Sequence, residues 1–229
     1  MRSLYSLNQD KIGFPDPNLA ESDGLIAFGG DLSPKRILSA YSQGIFPWYS
    51  PGEPILWWSP DPRFVLFPHK LHISKSLSKL IQKETYQVTM DQAFSSVIRE
   101  CASVREENNT GTWITSNMIQ AYIRLYEMGF AHSVEVWMDG TLAGGLYGIS
   151  LGRMFSGESM FFRKSNASKI ALVALVNFVH SYQFDFIDCQ VYTTHLKSLG
   201  AENIPRNEFL QLLHTTLKNQ HLQGRWVYD

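Results

Sequence analysis

The chain has 229 residues, room for one large domain or two unequal ones at about 150 residues per domain. With 44% hydrophobic, 18% charged and 13% aromatic residues it has the composition of a folded globular protein rather than a disordered one. Lysine and arginine number 20 against 21 acids, which excludes a histone-like or polybasic-arm protein; a polyanion would have to meet a local basic patch.

Residues 1–10 lack the apolar run of a signal peptide, and the longest apolar run, 170–179, is too short to span a bilayer, so a cytoplasmic protein without membrane association is expected. Cys101 and Cys189 allow one disulfide at most and form no C-x-x-C metal knuckle; two buried thiols are expected. Pro15, Pro17, Pro34, Pro47, Pro51, Pro54, Pro60 and Pro62 all precede Arg63, and only Pro68 and Pro205 follow it. Because proline removes a backbone donor and fixes φ, the segment before Arg63 reads as turns and short helices, with no regular sheet core. Ser33-Pro34 is an N-cap followed by a proline at the first helical position, Ile37, Leu38 and Tyr41 continue at helical spacing, and Gly44 stops the helix.

After Arg63 strands and amphipathic helices alternate. A helix over 74–83 carries Leu77, Leu80 and Ile81 on one face and Lys75, Lys79 and Lys83 on another. Further helices are predicted over 93–101 and 116–128, joined by a polar loop at 105–111. A meander follows: strands over 133–138, 142–150 and 153–161, the first two joined by the hairpin turn Asp139-Gly140. An apolar helix over 169–181, capped from within 166–168, leads to a buried strand over 184–190, a short helix over 195–199 and a last helix over 206–218. Meander, helix, strand, helix is the order of an acetyltransferase-like (GNAT) core. The fold class expected is α+β, a small Pro- and aromatic-rich N-terminal α/β domain over 1–62 and a GNAT-like domain over 63–229.

Within Phe186-Ile187-Asp188-Cys189-Gln190, side chains two apart share a face, so Asp188 and Gln190 should point together while Ile187 and Cys189 point away. That pair either satisfies local backbone donors or is a carboxylate orienting an amide that holds a nucleophile. Glu158 sits in an otherwise apolar strand and needs a partner, either a core cation or a ligand. The rings of residues 44–49 and 57–62, and Trp113 beyond them, suit base stacking or interdomain packing equally. The lysine stripe is either a solvated face or a phosphate track. His69 and His72 lack further ligands for a metal. No P-loop, nucleophile elbow or dinucleotide fingerprint is present. The turn 162–167 between the third meander strand and the next helix has no glycine, whereas coenzyme-A-dependent members of this fold grip pyrophosphate there with glycine-rich backbone, so acyl-coenzyme A is not the expected donor.

The segments 23–34, 44–48, 55–63, 71–74, 112–115, 157–161 and 187–190, in this order along almost the whole chain, closely resemble the bacterial leucyl/phenylalanyl-tRNA–protein transferases. The resemblance implies transfer of leucine or phenylalanine, with methionine at the edge of the range, from aminoacyl-tRNA to the α-amino group of proteins beginning with arginine or lysine. The product is a degradation signal, and no metal or coenzyme takes part. It implies that Gln190 accepts a hydrogen bond from the attacking amine and that Asp188 orients Gln190. Trp48 and Trp113 would hold the terminal adenosine, with Tyr41, Tyr122 and Glu158 beside it. Leu146, Phe155 and Leu175 would line the pocket for the transferred side chain. Leu175 stands where the family can carry phenylalanine, which leaves the order of leucine and phenylalanine open. In that setting Lys75, Lys79 and Lys83 are candidates for the acceptor stem, and a monomer is expected. The competing readings are a related transferase acting on a peptidoglycan precursor, a noncatalytic tRNA- or terminus-binding module, and an acetyl-coenzyme-A enzyme.

Overall fold

Ser33 Oγ accepts a hydrogen bond from the Arg36 N–H and opens the first helix, α1 (Pro34–Tyr41), as the Ser-Pro pair predicts. The surroundings of α1 differ from expectation. The computed structural model, which describes residues 4–83, 85–107 and 112–228, builds a sheet from the proline-rich segment. Its strands are β1 (Tyr5–Leu7), β2 (Leu25–Gly29), β3 (Phe46–Pro47) and β4 (Leu56–Trp58), in the order β1-β2-β4-β3. The prolines permit it because the strands are short enough to fit between them, and Pro47, which has no N–H to give, lies on the edge strand β3.

A second sheet takes the rest of the chain. Its strands are β5 (Arg63–Leu66), β6 (Gln87–Met90), β7 (Ala131–Met138), β8 (Thr141–Leu151), β9 (Met154–Phe162), β10 (Phe186–Gln190) and β11 (Glu202–Ile204), in the order β11-β5-β10-β9-β8-β7-β6. The predicted meander is β7-β8-β9, antiparallel throughout; α5 (Ala167–Ser181) then crosses over so that β10 runs parallel to β9. The meander, helix and strand order of the expected acetyltransferase-like core is therefore present. Strands β5, β6 and β11 are too short to show alternation in sequence.

The other helices are α2 (Lys75–Ile81), α3 (Phe94–Glu107), α4 (Ser116–Glu127), α6 (Thr194–Ser198) and α7 (Arg206–Thr216). Two boundaries and one cap need correction. Helix α2 ends at Ile81, so Lys83 follows its last turn. Helix α3 continues to Glu107, where the loop was expected, because Arg163 ion-pairs with Glu100 at 2.7 Å and Glu107 at 2.5 Å and fixes the last turns; residues 108–111 of that loop lie outside the described residues. Asn166 precedes α5 in the left-handed region, φ 67°, and its side chain makes no capping bond.

The large sheet is covered on both faces. Tyr147 and Ile149 point toward α3, α4 and α1, while Leu146, Phe155 and Ile187 point toward α5. Helix α5 is apolar around most of its circumference because it lies against the sheet and is itself overlaid by other segments, including that of Trp226. Among the described residues no helix is long and apolar enough to cross a membrane.

Candidate active site

Strands β9 and β10 pair only as far as Ser156 opposite Asp188. Beyond that point they part, and the gap opens a cavity of about 370 Å³ between residues 157–160 on one side and 189–191 on the other. Its apolar lining includes Leu146, Phe155, Leu172, Leu175 and Ile187, and Trp48, Trp113 and Arg105 also border it. Trp48 is 43% exposed and lies 5.8 Å from the ring of Trp58, whose indole N–H donates to the Trp48 carbonyl. The other rings of that aromatic segment divide between roles: Trp57 is core, as the packing alternative held, and Phe46 is buried but also borders the cavity.

Asp188 does not border the cavity. It is buried and held by Arg63 in a two-pronged ion pair, Nε to Oδ1 at 2.8 Å and Nη2 to Oδ2 at 2.6 Å. The same guanidinium donates to the Gly44 carbonyl at 3.1 Å and lies between the rings of Phe46 and Phe209. Gly44 is required there: its φ is 74°, and a Cβ would stand 2.8 Å from the Phe209 ring. A bulge separates Asp188 from Gln190, which takes φ 63° and donates its backbone N–H to Asp188 Oδ1 at 2.9 Å. Strict alternation therefore fails at this point, and Cys189 joins Gln190 on the cavity wall. Asp188 fixes the backbone of Gln190 rather than its amide. The amide is held from the other side: Nε2 donates to Glu158 Oε1 at 2.8 Å and to Ser156 Oγ at 3.4 Å. With its donor end engaged, the Gln190 carbonyl is the end left to accept from a ligand.

The core cation expected as one partner of Glu158 is not what holds it, although the residue does border the cavity. Its carboxyl accepts from Tyr41 Oη at 2.6 Å and Tyr122 Oη at 3.0 Å, and the two phenol oxygens are 2.6 Å apart. Three oxygen–oxygen contacts close a ring, but two phenols bring only two protons. A protonated carboxyl provides the third by donating to one phenol instead of accepting from it, while that phenol donates to the other. Burial, reinforced by the nearby Asp188 charge, pushes the Glu158 carboxyl up to about 7 against the opposing pull of the hydrogen bonds from Tyr41, Tyr122 and Gln190. Burial, and then the Glu158 charge, holds both phenols well above their ordinary range. Tyr41 and Tyr122 thus stand behind Glu158 in the core and not on the cavity wall where the adenosine was expected.

A family model described as leucyl/phenylalanyl-tRNA protein transferase matches residues 65–214, and a model of that family's N-terminal domain matches residues 30–61. The chain belongs to the leucyl/phenylalanyl-tRNA–protein transferase family. A relative of that name from Desulfatibacillum aliphaticivorans is 58% identical over 226 residues, covering 99% of this chain and 97% of the relative. Another from Nitrosospira multiformis is 56% identical over 211 residues, covering 92% and 90%. Among solved structures, a ribosomal-protein-alanine N-acetyltransferase from Brucella melitensis aligns with TM-score 0.37 and 10% identity over 50% of this chain and 86% of that one. An aminoglycoside acetyltransferase from an uncultured soil metagenomic sample aligns with TM-score 0.39 and 12% identity, over 64% and 99%.

As a member of this transferase family the chain is an enzyme, an aminoacyltransferase. Of its residues singled out from sequence, Gln190, Glu158, Trp48, Trp113, Leu146, Phe155 and Leu175 meet at the cavity. Lys75, Lys79 and Lys83 are exposed, and none borders the cavity. Among the described residues no three histidine, cysteine or acidic side chains come together to hold a metal. Cys101 and Cys189 are both free thiols, and Cys189 is only partly buried. Burial of its sulfur, then the Asp188 charge, raises the Cys189 thiol above its ordinary value. Sequence reasoning missed Arg63, Ser156, Arg105 and His195. Arg105 lies 6.0 Å over the Trp113 ring. His195 borders the cavity with Nε2 lacking a protein partner, and burial, then Lys169, lowers its pKa. Part of the signal for Arg63 was available: a lone cation heading the apolar run 64–67 needs a buried anion, but Glu135, Glu158 and Asp188 all lie inside apolar strands, so the sequence does not say which of them it meets.

Proposed function

We propose that this enzyme moves leucine or phenylalanine, and at the edge of its range methionine, from aminoacyl-tRNA to the α-amino group of proteins beginning with arginine or lysine, creating a degradation signal. It would act in the cytoplasm as a monomer, with no metal or coenzyme, and with residues 1–62 as a small domain completing the site of a catalytic domain over 63–229. The observation that carries this reading is the Gln190 amide, pinned by Glu158 so that its carbonyl is left for the cavity, beside an apolar pocket and two indoles.

In this reading the indoles of Trp48 and Trp113 stack on the terminal adenosine, with Arg105 offering a charge to the adjoining phosphate. The side chain of the donor enters the pocket formed by Leu146, Phe155 and Leu175, where a difference of one methylene is worth only about 1–3 kcal/mol, enough to admit several apolar residues. An α-amino group titrates near 8, so free amine is plentiful at cellular pH. Its nitrogen attacks the ester carbonyl while one N–H donates to the Gln190 carbonyl. The new C–N bond forms as the ester C–O bond breaks, and the proton leaves nitrogen for the departing ribose oxygen, directly or through water. Asp188, its charge met by Arg63, contributes position through the Gln190 backbone. An amide is a poor base, so Gln190 orients the amine rather than deprotonating it. Against acyl-coenzyme A as donor, the backbone N–H groups of Arg163 and Lys164 already donate to the Ala143 carbonyl.

The test is incubation with leucyl-tRNA and peptides beginning with Arg, Lys or Ala. Transfer to the basic termini alone is the expected result; transfer to none of them, or to a peptidoglycan precursor instead, overturns the reading.

A further inference from the structure

Trp226 lies far along the chain from every residue assigned to the site, yet it is 3% exposed. Its segment is fastened to the protein at several points. The His221 ring stacks on Phe130 at 4.8 Å, Gln223 Nε2 donates to the Met128 carbonyl at 3.0 Å, and the Trp226 backbone N–H donates to Asp91 Oδ2 at 2.7 Å. Asp91 also holds the His132 ring, 2.8 Å away, and the Trp226 indole stacks on that ring at 3.8 Å with 7° between the planes.

The indole then reaches Phe155. The two ring centres are 5.8 Å apart, and Phe178 and Phe184 hold the indole from other directions at 4.7 and 6.0 Å. On another side Phe155 presses on Gly148, where an added Cβ would come within 2.6 Å of the ring. Phe155 is a wall of the cavity, so one side chain is shared between the pocket and the docked segment.

We propose that Trp226 is a positioning residue that sets the depth of the apolar pocket, and with it the preference between leucine and phenylalanine, by backing the Phe155 ring. This rests on the pocket receiving the transferred side chain, as proposed above. Packing explains why: close-packed interiors transmit a missing ring to the neighbour that leaned on it. Replacing the indole with a smaller group lets Phe155 withdraw from the cavity, which deepens it and favours the larger substrate side chain.

The experiment compares kcat/KM for leucyl-tRNA and phenylalanyl-tRNA in wild type, Trp226→Leu, Trp226→Phe, Phe155→Leu and the double variant Trp226→Leu/Phe155→Leu. The Phe/Leu ratio should rise roughly tenfold in Trp226→Leu, a change of the size one or two methylenes produce in an apolar pocket. It should rise by a smaller factor in Trp226→Phe, which keeps a ring behind Phe155. Because Trp226 acts through Phe155, its substitution should shift the ratio little once Phe155 is already leucine. A general loss of folding would depress both donors alike, and Trp226→Phe keeps the comparison available if Trp226→Leu does not fold: it must then show a smaller shift in the same direction. An unchanged ratio, or full additivity in the double variant, overturns the inference. Wild type that transfers neither residue would instead overturn the assigned function.

Discussion

Replacing Glu158 with glutamine tests the ring of three oxygens most directly. The carboxyl titrates near 7 in the folded protein, against an ordinary value of 4.5. A carboxyl whose folded value is raised contributes stability that is complete below its unfolded value and is lost as pH rises through the folded value. The window therefore runs from about pH 4.5 to just above pH 7. At about 1.4 kcal/mol per pH unit that gap amounts to a loss of about 3 kcal/mol on alkaline titration. The mechanism is concrete: above pH 7 the third proton leaves, and the Tyr41–Tyr122 contact competes with the two phenol–carboxylate bonds for the two protons that remain. Glu158→Gln keeps the shape and does not titrate. Urea unfolding of both proteins at pH 5 and pH 8 should show wild type losing about 2–3 kcal/mol more than Glu158→Gln across that interval. Other titrating groups cancel in the comparison. Parallel pH profiles would refute the argument.

Arg63→Met leaves Asp188 buried without its cation and should cost about 3–5 kcal/mol in urea unfolding, whereas Arg63→Met with Asp188→Leu should cost less than the two single changes added together. Gln190→Ala should lower kcat by about 100-fold while leaving the affinity for a nonhydrolysable leucyl-adenosine unchanged by calorimetry. Trp48→Ala should weaken the same ligand by about 1–3 kcal/mol; unaltered binding would remove that indole from the stack. Changing Lys75, Lys79 and Lys83 together to glutamine should flatten the plot of log affinity for tRNA against log salt by about 2–3, the slope of three phosphate contacts. An unchanged slope would remove α2 from the tRNA-binding face.

Much of the architecture was legible because it is local. The Asp139-Gly140 turn, the alternation on either side of it and the apolar α5 each announce themselves within one stretch of sequence. The proline-rich segment misled because proline forbids interior strands, yet strands as short as β3 and β4 escape that rule. The site was legible in its wall residues and less so in its supports. Leu146 and Phe155 came from the family resemblance alone and Gln190 from alternation as well, but the bulge at Gln190 depends on a left-handed residue that no period reveals. Tyr41 and Tyr122 carry no local mark of their bond to Glu158, since they lie on two helices far apart in sequence and meet it only after the two sheets have come together.

Arg63 grips Asp188 with one edge and the Gly44 carbonyl with another, while its flat faces meet Phe46 and Phe209. Phe46 is two residues from Trp48, and Asp188 is two from Gln190. A single guanidinium therefore ties the segment carrying Trp48 to the strand carrying Gln190, and the two cannot drift independently. A chimera that swaps the leading sixty or so residues between relatives would have to rebuild that clamp before it could align an ester with an amine.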